Sequence, residues 1–342
     1  MEAFMSKKNK NSENQAVQNT GVQKLKSVSY AKWGYIFILP FFITYFIWSL
    51  IPLLLTIFYS FFERYNLGLD EIGPIWNNFE NYITIFSRDN NGDLGILKYG
   101  FNTLIMWIMG AVPQFVVAII LAVWFTSYRL NVKGQGFFKT VIYMPNLIMA
   151  SALSMLFFVL FSNVGPVNQL LVSSGILEEK FDFFNNAWTV RSLVALMNFL
   201  MWFGNTTIVL MAGIMGIDQS LFEAAAIDGA NSWKVFFKVT LPLLMPILNY
   251  AVITALIGGI NMYDVPYVLT NKHGTPNRTS FTVIMYLQDY MKNKNYGMGG
   301  AISVVIFLFA GILSISVYKF LVSQYTDKIP GQVNKKKKRG GK

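Results

Sequence analysis

Polar and aromatic residues lie within the long apolar runs of this sequence, and seven of them are candidates for hydrogen bonds or ring contacts with a solute. A polar side chain in such a run is costly unless it faces other protein groups or a water-filled path. Amide, hydroxyl and indole groups suit the hydroxyl groups of a polar solute, and aromatic rings can stack on it. The candidates for lining a solute path are Ser151, Trp202, Asn205, Asn261, Tyr263, Asp264 and Tyr267.

Other interpretations of these residues stay open at this point. Asn205 and Asn261 would equally suit bridges between neighbouring helices. Tyr263 and Tyr267 fit an aromatic belt at the membrane interface. Asp264 would also suit pairing with a basic residue of a partner subunit.

The fifth apolar run places several of these residues by depth. If it begins at the inner face near Ile247, a helical rise of about 1.5 Å per residue puts Asp264 some 25 Å across the membrane. That position suits an outward-facing site or its gate. Gly258 and Gly259 precede it, and they either leave room for a solute or allow close contact between helices.

No motif for catalysis or nucleotide binding accompanies these residues. The sequence has no P-loop, no H-E-x-x-H and no G-x-S-x-G. It contains no cysteine, which excludes disulfides and thiolate metal sites. We therefore expect a chain that is not an enzyme and has no catalytic residue, metal site or cofactor; ATP and magnesium would belong to a partner.

Composition indicates a membrane protein, since 54% of the 342 residues are apolar and only 13% are charged. A membrane helix needs about 20 residues, and the backbone must satisfy its own hydrogen bonds in lipid. We therefore predict an all-α, polytopic protein with six transmembrane helices. The apolar runs lie at roughly 33–62, 101–126, 137–161, 189–214, 247–270 and 299–325.

The distribution of basic residues predicts the orientation. Loops 63–100, 162–188 and 271–298 would lie on the outer side of the membrane. The opposite side would hold both termini, the loops at 127–139 and 215–246, and 19 of the 28 lysine and arginine residues. By the positive-inside rule this side is cytoplasmic, and we expect a bacterial cytoplasmic (inner) membrane protein. Residues 1–32 and 326–342 are predicted to be basic cytoplasmic tails that flank a transmembrane domain at 33–325. The basic cluster near the C-terminus favours anionic lipid headgroups over nucleic acid.

The segment at 220–246 lies on the predicted cytoplasmic side between the fourth and fifth runs. Ser220 and Glu223 have the spacing of a capping box at the start of a short helix. Gly229 suits the left-handed position that ends such a helix. A second short helix is expected at about 231–240, with Pro242 and Pro246 separating it from the fifth span. Together these elements predict a helix–turn–helix elbow.

This segment resembles the EAA loop of ABC importer permeases. The matching residues include Glu223-Ala224-Ala225, Asp228-Gly229-Ala230, Phe236-Phe237 and Leu241-Pro242. The resemblance implies that the first short helix is a coupling helix that contacts an ATPase subunit. The residues it assigns to ATPase coupling are Glu223, Ala224, Ala225, Asp228, Gly229, Ala230 and Pro242.

The resemblance covers roughly 33–325 and is closest to carbohydrate permeases of the maltose type. It rests further on Phe79-Glu80-Asn81-Tyr82, on Gly165-Pro166-Val167-Asn168 and on Tyr263-Asp264 with Tyr267. One departure is the turn at 271–274, where the family has more glycine. By this resemblance the chain is one permease of a heterodimer that works with two ATPase subunits and an external solute-binding protein. The expected cargo is a sugar, and an oligosaccharide is favoured.

Two alternatives remain at the level of sequence. The same class of importer would also suit a polyol, a glycerol phosphate or a uronate-type substrate. An ATP-independent secondary transporter is the other, although the sequence shows neither a clear repeat nor an intramembrane charge relay.

Overall fold

The computed structural model describes residues 31–67, 70–88, 94–127 and 133–326. Within these residues six helical stretches are long and apolar enough to cross a membrane, so the prediction of an all-α six-span protein is confirmed. The six stretches are Lys32–Tyr59, Gly95–Thr126, Ala150–Ser173, Ala187–Met215, Ser232–Leu269 and Tyr296–Val322. Apart from their edge residues, both predicted tails lie outside the described residues.

The chain divides into two compact units, residues 1–54 and 55–342. The described part of the first unit is helical. It comprises α1 (Ala31–Tyr45), a π-helical turn at Phe46–Leu50, and the start of α2 (Ile51–Tyr59). Pro40 lies inside α1, and the hydroxyl of Thr44 donates a hydrogen bond to its carbonyl oxygen.

A β-hairpin follows α2, where the sequence indicated only a loop. Strands β1 (Phe62–Leu67) and β2 (Asp70–Trp76) pair antiparallel, and Arg64 bridges to Glu71 at 2.7 Å. The hydrogen bond to Glu71 raises the pKa of Arg64. The short helix α3 (Glu80–Phe86) comes next. The aromatic residues of β1, Phe62 and Tyr65, are three positions apart, and a register shift lies between Glu63 and Tyr65. The two-residue period of a strand is therefore not visible in the sequence.

Three long helices form the centre of the second unit. They are α4 (Gly95–Thr126), α8 (Ala187–Met215) and α11 (Leu241–Ile260). All three contribute to the cluster at the C-terminal part of α4, which includes Ala118, Leu210 and Leu244. Since lipid is as apolar as these side chains, close packing rather than the hydrophobic effect holds the helices together.

The third span is broken, contrary to the prediction of one helix over 137–161. It consists of α5 (Gln135–Tyr143), a 3-10 turn at Met144–Leu147 and α6 (Ala150–Phe161). Pro145 lacks the amide hydrogen that would continue α5. The side chain of Asn146 donates to the carbonyl of Met201 at 2.9 Å, which ties the break to α8.

The fifth span also differs from the predicted 247–270. Helix α11 ends at Ile260, and after a short break α12 (Asp264–Leu269) begins. The remaining helices are α7 (Pro166–Ser173), α9 (Gln219–Ile227), α10 (Ser232–Val235), α13 (Val283–Lys292) and α14 (Tyr296–Thr326).

Residues 278–283 form a strap that crosses the N-terminal ends of α4 and α8. Asn102 of α4 donates to the carbonyls of Arg278 and Phe281 at 3.0 and 3.3 Å. Arg191 of α8 donates to the carbonyl of Thr279 at 3.0 Å and to the side-chain oxygen of Asn102 at 2.8 Å. The hydroxyl of Thr282 donates to the carbonyl of Met262 at 2.8 Å. Side chains thus satisfy the irregular backbone of the strap.

We predict that Asn102→Ala destabilises the protein by about 1–3 kcal/mol, because it leaves buried carbonyl groups unpaired. Thermal unfolding of the purified protein in detergent would measure the loss. Asn261→Ala is the matched control, since Asn261 is exposed and bonds only the carbonyl of Ile257 in its own helix. Equal melting temperatures for the two variants would contradict a stabilising strap.

Candidate functional site

A cavity of about 350 Å³ lies between α4, α8 and α11. Its size falls within the range of small-molecule sites. Residues from all three helices form its wall, and Met262 follows the end of α11. The lining residues are Trp107, Ala111, Gln114, Asn198, Trp202, Asn205, Thr206, Val209, Tyr250, Ala251, Thr254, Ala255, Gly258, Gly259 and Met262.

The cavity lining, drawn from the described residues, contains no charged side chain. Part of its polar surface is already used within the protein. Gln114 donates to Thr206 at 2.8 Å, and the hydroxyl of Thr254 donates to the carbonyl of Tyr250. Asn198 donates to the carbonyl of Val194 at 2.9 Å. These bonds fix the orientation of the wall.

Asn205 and Trp202 belong to the part of the wall that remains available to a solute. The Asn205 amide has no hydrogen bond to another described residue, and the Trp202 side chain is 47% exposed. Both were predicted to line a solute path, and the structure brings these two together. An amide beside an aromatic ring can bind a hydroxylated solute by hydrogen bonds and stacking.

The adjacent glycines of α11 have different roles. A β-carbon at Gly259 would lie 2.0 Å from the Trp107 ring, so this glycine admits the indole against the helix backbone. A β-carbon at Gly258 would have no neighbour within 4 Å, and Gly258 leaves the cavity open. Each sequence-based interpretation therefore holds for one glycine of the pair.

The other predicted path residues lie outside the cavity lining. Ser151 is on α6, and Asp264 is exposed in the first turn of α12. Asn261 caps α11 and bonds within it. The prediction for the fifth span assumed one continuous helix. Because α11 ends at Ile260, the residues after the break do not continue the face of α11 that lines the cavity.

Tyr263 and Tyr267 form a separate cluster. Their rings stack at 4.7 Å, and Lys292 of α13 donates to both phenol oxygens at 3.1 and 2.7 Å. The hydrogen bond to Tyr267 raises the pKa of Lys292, which holds its charge. These tyrosines therefore bind the ammonium group of Lys292 and do not line the cavity.

Several lining residues were missed by the sequence analysis, among them Trp107, Gln114, Asn198 and Tyr250. Only Asn198 could have been predicted, from its helical spacing to Trp202 and Asn205. Asn198, Trp202 and Asn205 lie four and three residues apart, which places them on one face of α8. The residues from α4 and α11 carry no comparable signal, because their convergence depends on tertiary packing.

The elbow between the fourth and fifth spans begins with α9. Its N-cap is Asp218, which accepts a hydrogen bond from the amide of Ser220 at 2.9 Å. The prediction of Ser220 as the N-cap was therefore wrong by two residues, since an aspartate also favours this position. The same hydrogen bond lowers the pKa of Asp218. Glu223 lies exposed on the helix.

Gly229 ends α9 as predicted, with a positive φ of 69°. The amides of Ala230 and Gly229 donate to the carbonyls of Ala225 and Ala226, which is a Schellman motif. Asn231 then caps α10 by accepting a hydrogen bond from the amide of Lys234. The turn between the two helices is thus fixed by backbone and capping bonds.

The second helix of the elbow runs directly into α11, so the predicted separation at Pro242 and Pro246 was wrong. A π-helical turn at Phe236–Thr240 joins α10 to α11 without a break. Pro242 lies directly after this π turn, two residues beyond Thr240. The wider π turn accommodates the proline in a continuous helix.

Apolar side chains project from the elbow. Ile227 is 87% exposed, and the rings of Trp233 and Phe237 stack at 5.9 Å while both remain exposed. The continuous helix formed by α10, the π turn and α11, Ser232–Ile260, is about 43 Å long, against a hydrocarbon layer of about 30 Å. One end of this stretch therefore extends beyond the lipid, and apolar groups there indicate a contact with another protein.

Six spans, an uncharged cavity and a projecting apolar elbow define the membrane-spanning subunit of a transport system. The family model described as "Binding-protein-dependent transport system inner membrane component" matches residues 94–326. The chain belongs to this family. It is a permease subunit of an ABC importer, a multi-pass inner-membrane protein and not an enzyme.

Individual relatives agree with the family. The lactose transport system permease LacF of Rhizobium radiobacter is 30% identical over 215 residues, or 62% of this chain and 72% of LacF. The arabinooligosaccharide permease AraP of Bacillus subtilis is 28% identical over 82% of this chain and 86% of its own. A solved bacterial ABC transporter involved in alginate import has the same fold, with a TM-score of 0.70, 21% identity, and coverage of 84% of this chain and 94% of its own.

We predict that Gly259→Ala lowers the melting temperature, because the new methyl group collides with Trp107. Gly258→Ala is the matched control, and it should change the melting temperature little, since its methyl group enters open space. Overpacking of this kind costs about 1–3 kcal/mol. Thermal unfolding in detergent separates the two, and equal losses would contradict the assigned roles of the glycines.

Proposed function

We propose that this chain carries a neutral sugar, most suitably an oligosaccharide, through the cavity between α4, α8 and α11. It works as one of two permease subunits, together with a dimer of ATPase subunits and an extracytoplasmic solute-binding protein. Both termini and the elbow face the cytoplasm. ATP-driven closure of the ATPase pair moves the elbow, and the spans alternate between outward-facing and inward-facing states.

The uncharged cavity is the observation that carries the choice of a neutral sugar. Free amide and indole groups at Asn205 and Trp202 suit hydroxyl groups and sugar ring faces. Transfer of a carboxylate or phosphate into such a cavity would cost several kcal/mol without a paired cation. Relatives named for lactose and arabinooligosaccharide transport support this class. A uronate substrate, as the alginate transporter would suggest, is therefore disfavoured.

The projecting elbow supports the coupling role. The exposed Ile227, Trp233 and Phe237 provide an apolar surface outside the lipid, and Glu223 lies on the same elbow. Gly229 holds the turn that sets the two short helices against each other. A partner that binds this surface can move α11 directly, because the helix continues from the elbow to the cavity wall.

The first test is uptake of labelled neutral oligosaccharides by the complete importer in liposomes, with ATP inside and the binding protein outside. We expect Asn205→Ala to reduce the rate about tenfold or more, because a buried hydrogen bond to the sugar is lost. Asn261→Ala should transport normally. Wild-type uptake that favours uronates or continues without ATP would contradict the proposed function.

A second test addresses the elbow. Ile227→Asp places a charge on the proposed contact, so we expect the ATPase subunit to be lost on affinity purification and uptake to stop. Ile176→Asp is the control, because Ile176 is also largely exposed and lies on a predicted outer segment. Normal insertion of both variants shows that folding is intact. Copurification of the ATPase with Ile227→Asp would count against this contact.

A further inference from the structure

Two of the three predicted outer segments are net acidic, and the third is net basic. Residues 63–100 contain six acidic and three basic residues, and residues 162–188 contain three acidic and one basic. Residues 271–298 contain one acidic and four basic residues. Basic residues are depleted from outer loops by the positive-inside rule. Their concentration in the third segment therefore indicates a role on that side.

The basic segment has a well-defined backbone. Lys272 has a positive φ of 75°, and its amide donates to the carbonyl of Tyr267 at 2.7 Å. The amide of Gly274 donates to the hydroxyl of Thr270 at 2.9 Å. Further along, the strap at 278–283 holds the segment onto α4 and α8. Hydrogen bonds to α12, α4 and α8 therefore fix the backbone of the segment, while Lys272 and His273 remain exposed.

The charges of this segment are arranged in two groups. Lys292 is held by the two stacked tyrosines, and the half-buried Asp289 lies near enough to Lys292 and Arg278 to interact with both electrostatically. Lys272 and Lys294 are exposed. Ordered backbone with exposed ammonium groups presents a preorganised positive surface, which lowers the entropic cost of binding.

We propose that residues 271–294 form the docking surface for an acidic face of the solute-binding protein. The acidic outer segments at 63–100 and 162–188 repel that face, so the charge contrast fixes the orientation in which the binding protein docks. The proposal rests on the proposed topology. A lipid surface fits less well, because anionic headgroups would meet all outer segments alike. A sugar fits less well, because the cavity is neutral.

The test uses the complete importer in liposomes and measures ATP hydrolysis as a function of binding-protein concentration, at low and high NaCl. Lys272→Glu should raise the half-saturating concentration about fivefold at low salt, with an unchanged maximal rate. The difference should shrink at high salt because of screening. Lys180→Glu is the matched control, since Lys180 is exposed in an outer segment that is already acidic. It should change the half-saturating concentration less than twofold.

Several results would overturn the docking surface. Equal effects of Lys272→Glu and Lys180→Glu would remove the distinction between segments. A lower maximal rate with an unchanged half-saturating concentration would assign Lys272 to transport of the sugar. An effect that follows the anionic lipid content of the liposomes would assign it to the membrane. If the wild type itself shows no stimulation by the binding protein, the proposed function fails instead.

Discussion

In the hydrocarbon interior no water is available to the peptide backbone, and an unpaired amide or carbonyl group there costs several kcal/mol. This constraint governs where the spans of the permease can depart from regular helix. The third span breaks at Met144–Leu147, where Asn146 reaches the carbonyl of Met201. The fifth breaks after Ile260, where the hydroxyl of Thr282 reaches the carbonyl of Met262. At the fifth-span break a side chain from elsewhere in the fold thus satisfies a free carbonyl, whereas at the third-span break the chain's own Asn146 binds the backbone of α8.

These pairings also connect the helices that surround the cavity. The bond to Met262 places the strap near the end of α11, and Met262 lines the cavity. The bonds from Asn102 and Arg191 connect the same strap to α4 and α8. All three helices that surround the cavity are therefore joined at one end. The projecting elbow continues from the opposite end of α11. The strap therefore connects the helices by hydrogen bonds at one end of the cavity, and the elbow extends from the other end.

The sequence was sufficient for the helical class, the number of spans, the elbow and the left-handed turn at Gly229, because these depend on local composition and spacing. It was insufficient for the breaks and for most of the cavity wall. The third-span break cannot be recognised locally, because the pairing of Asn146 with Met201 joins residues 55 positions apart. Pro242 was misread because the π turn before it cannot be recognised from residue types. Trp202 and Asn205 were found because they are polar or aromatic within an apolar run, whereas Tyr263 and Tyr267 met the same criterion and bind Lys292 instead.

The π turn at Phe236–Thr240 has a consequence for how this protein can evolve. A π turn has the length of an α-helix with one residue added, and one residue corresponds to a rotation of about 100° about the helix axis. The elbow and the cavity wall lie on either side of this added residue. A deletion there would preserve both surfaces but turn one relative to the other. A one-residue deletion in this turn is therefore expected to disturb the relation of the two surfaces more than a substitution at the same positions would.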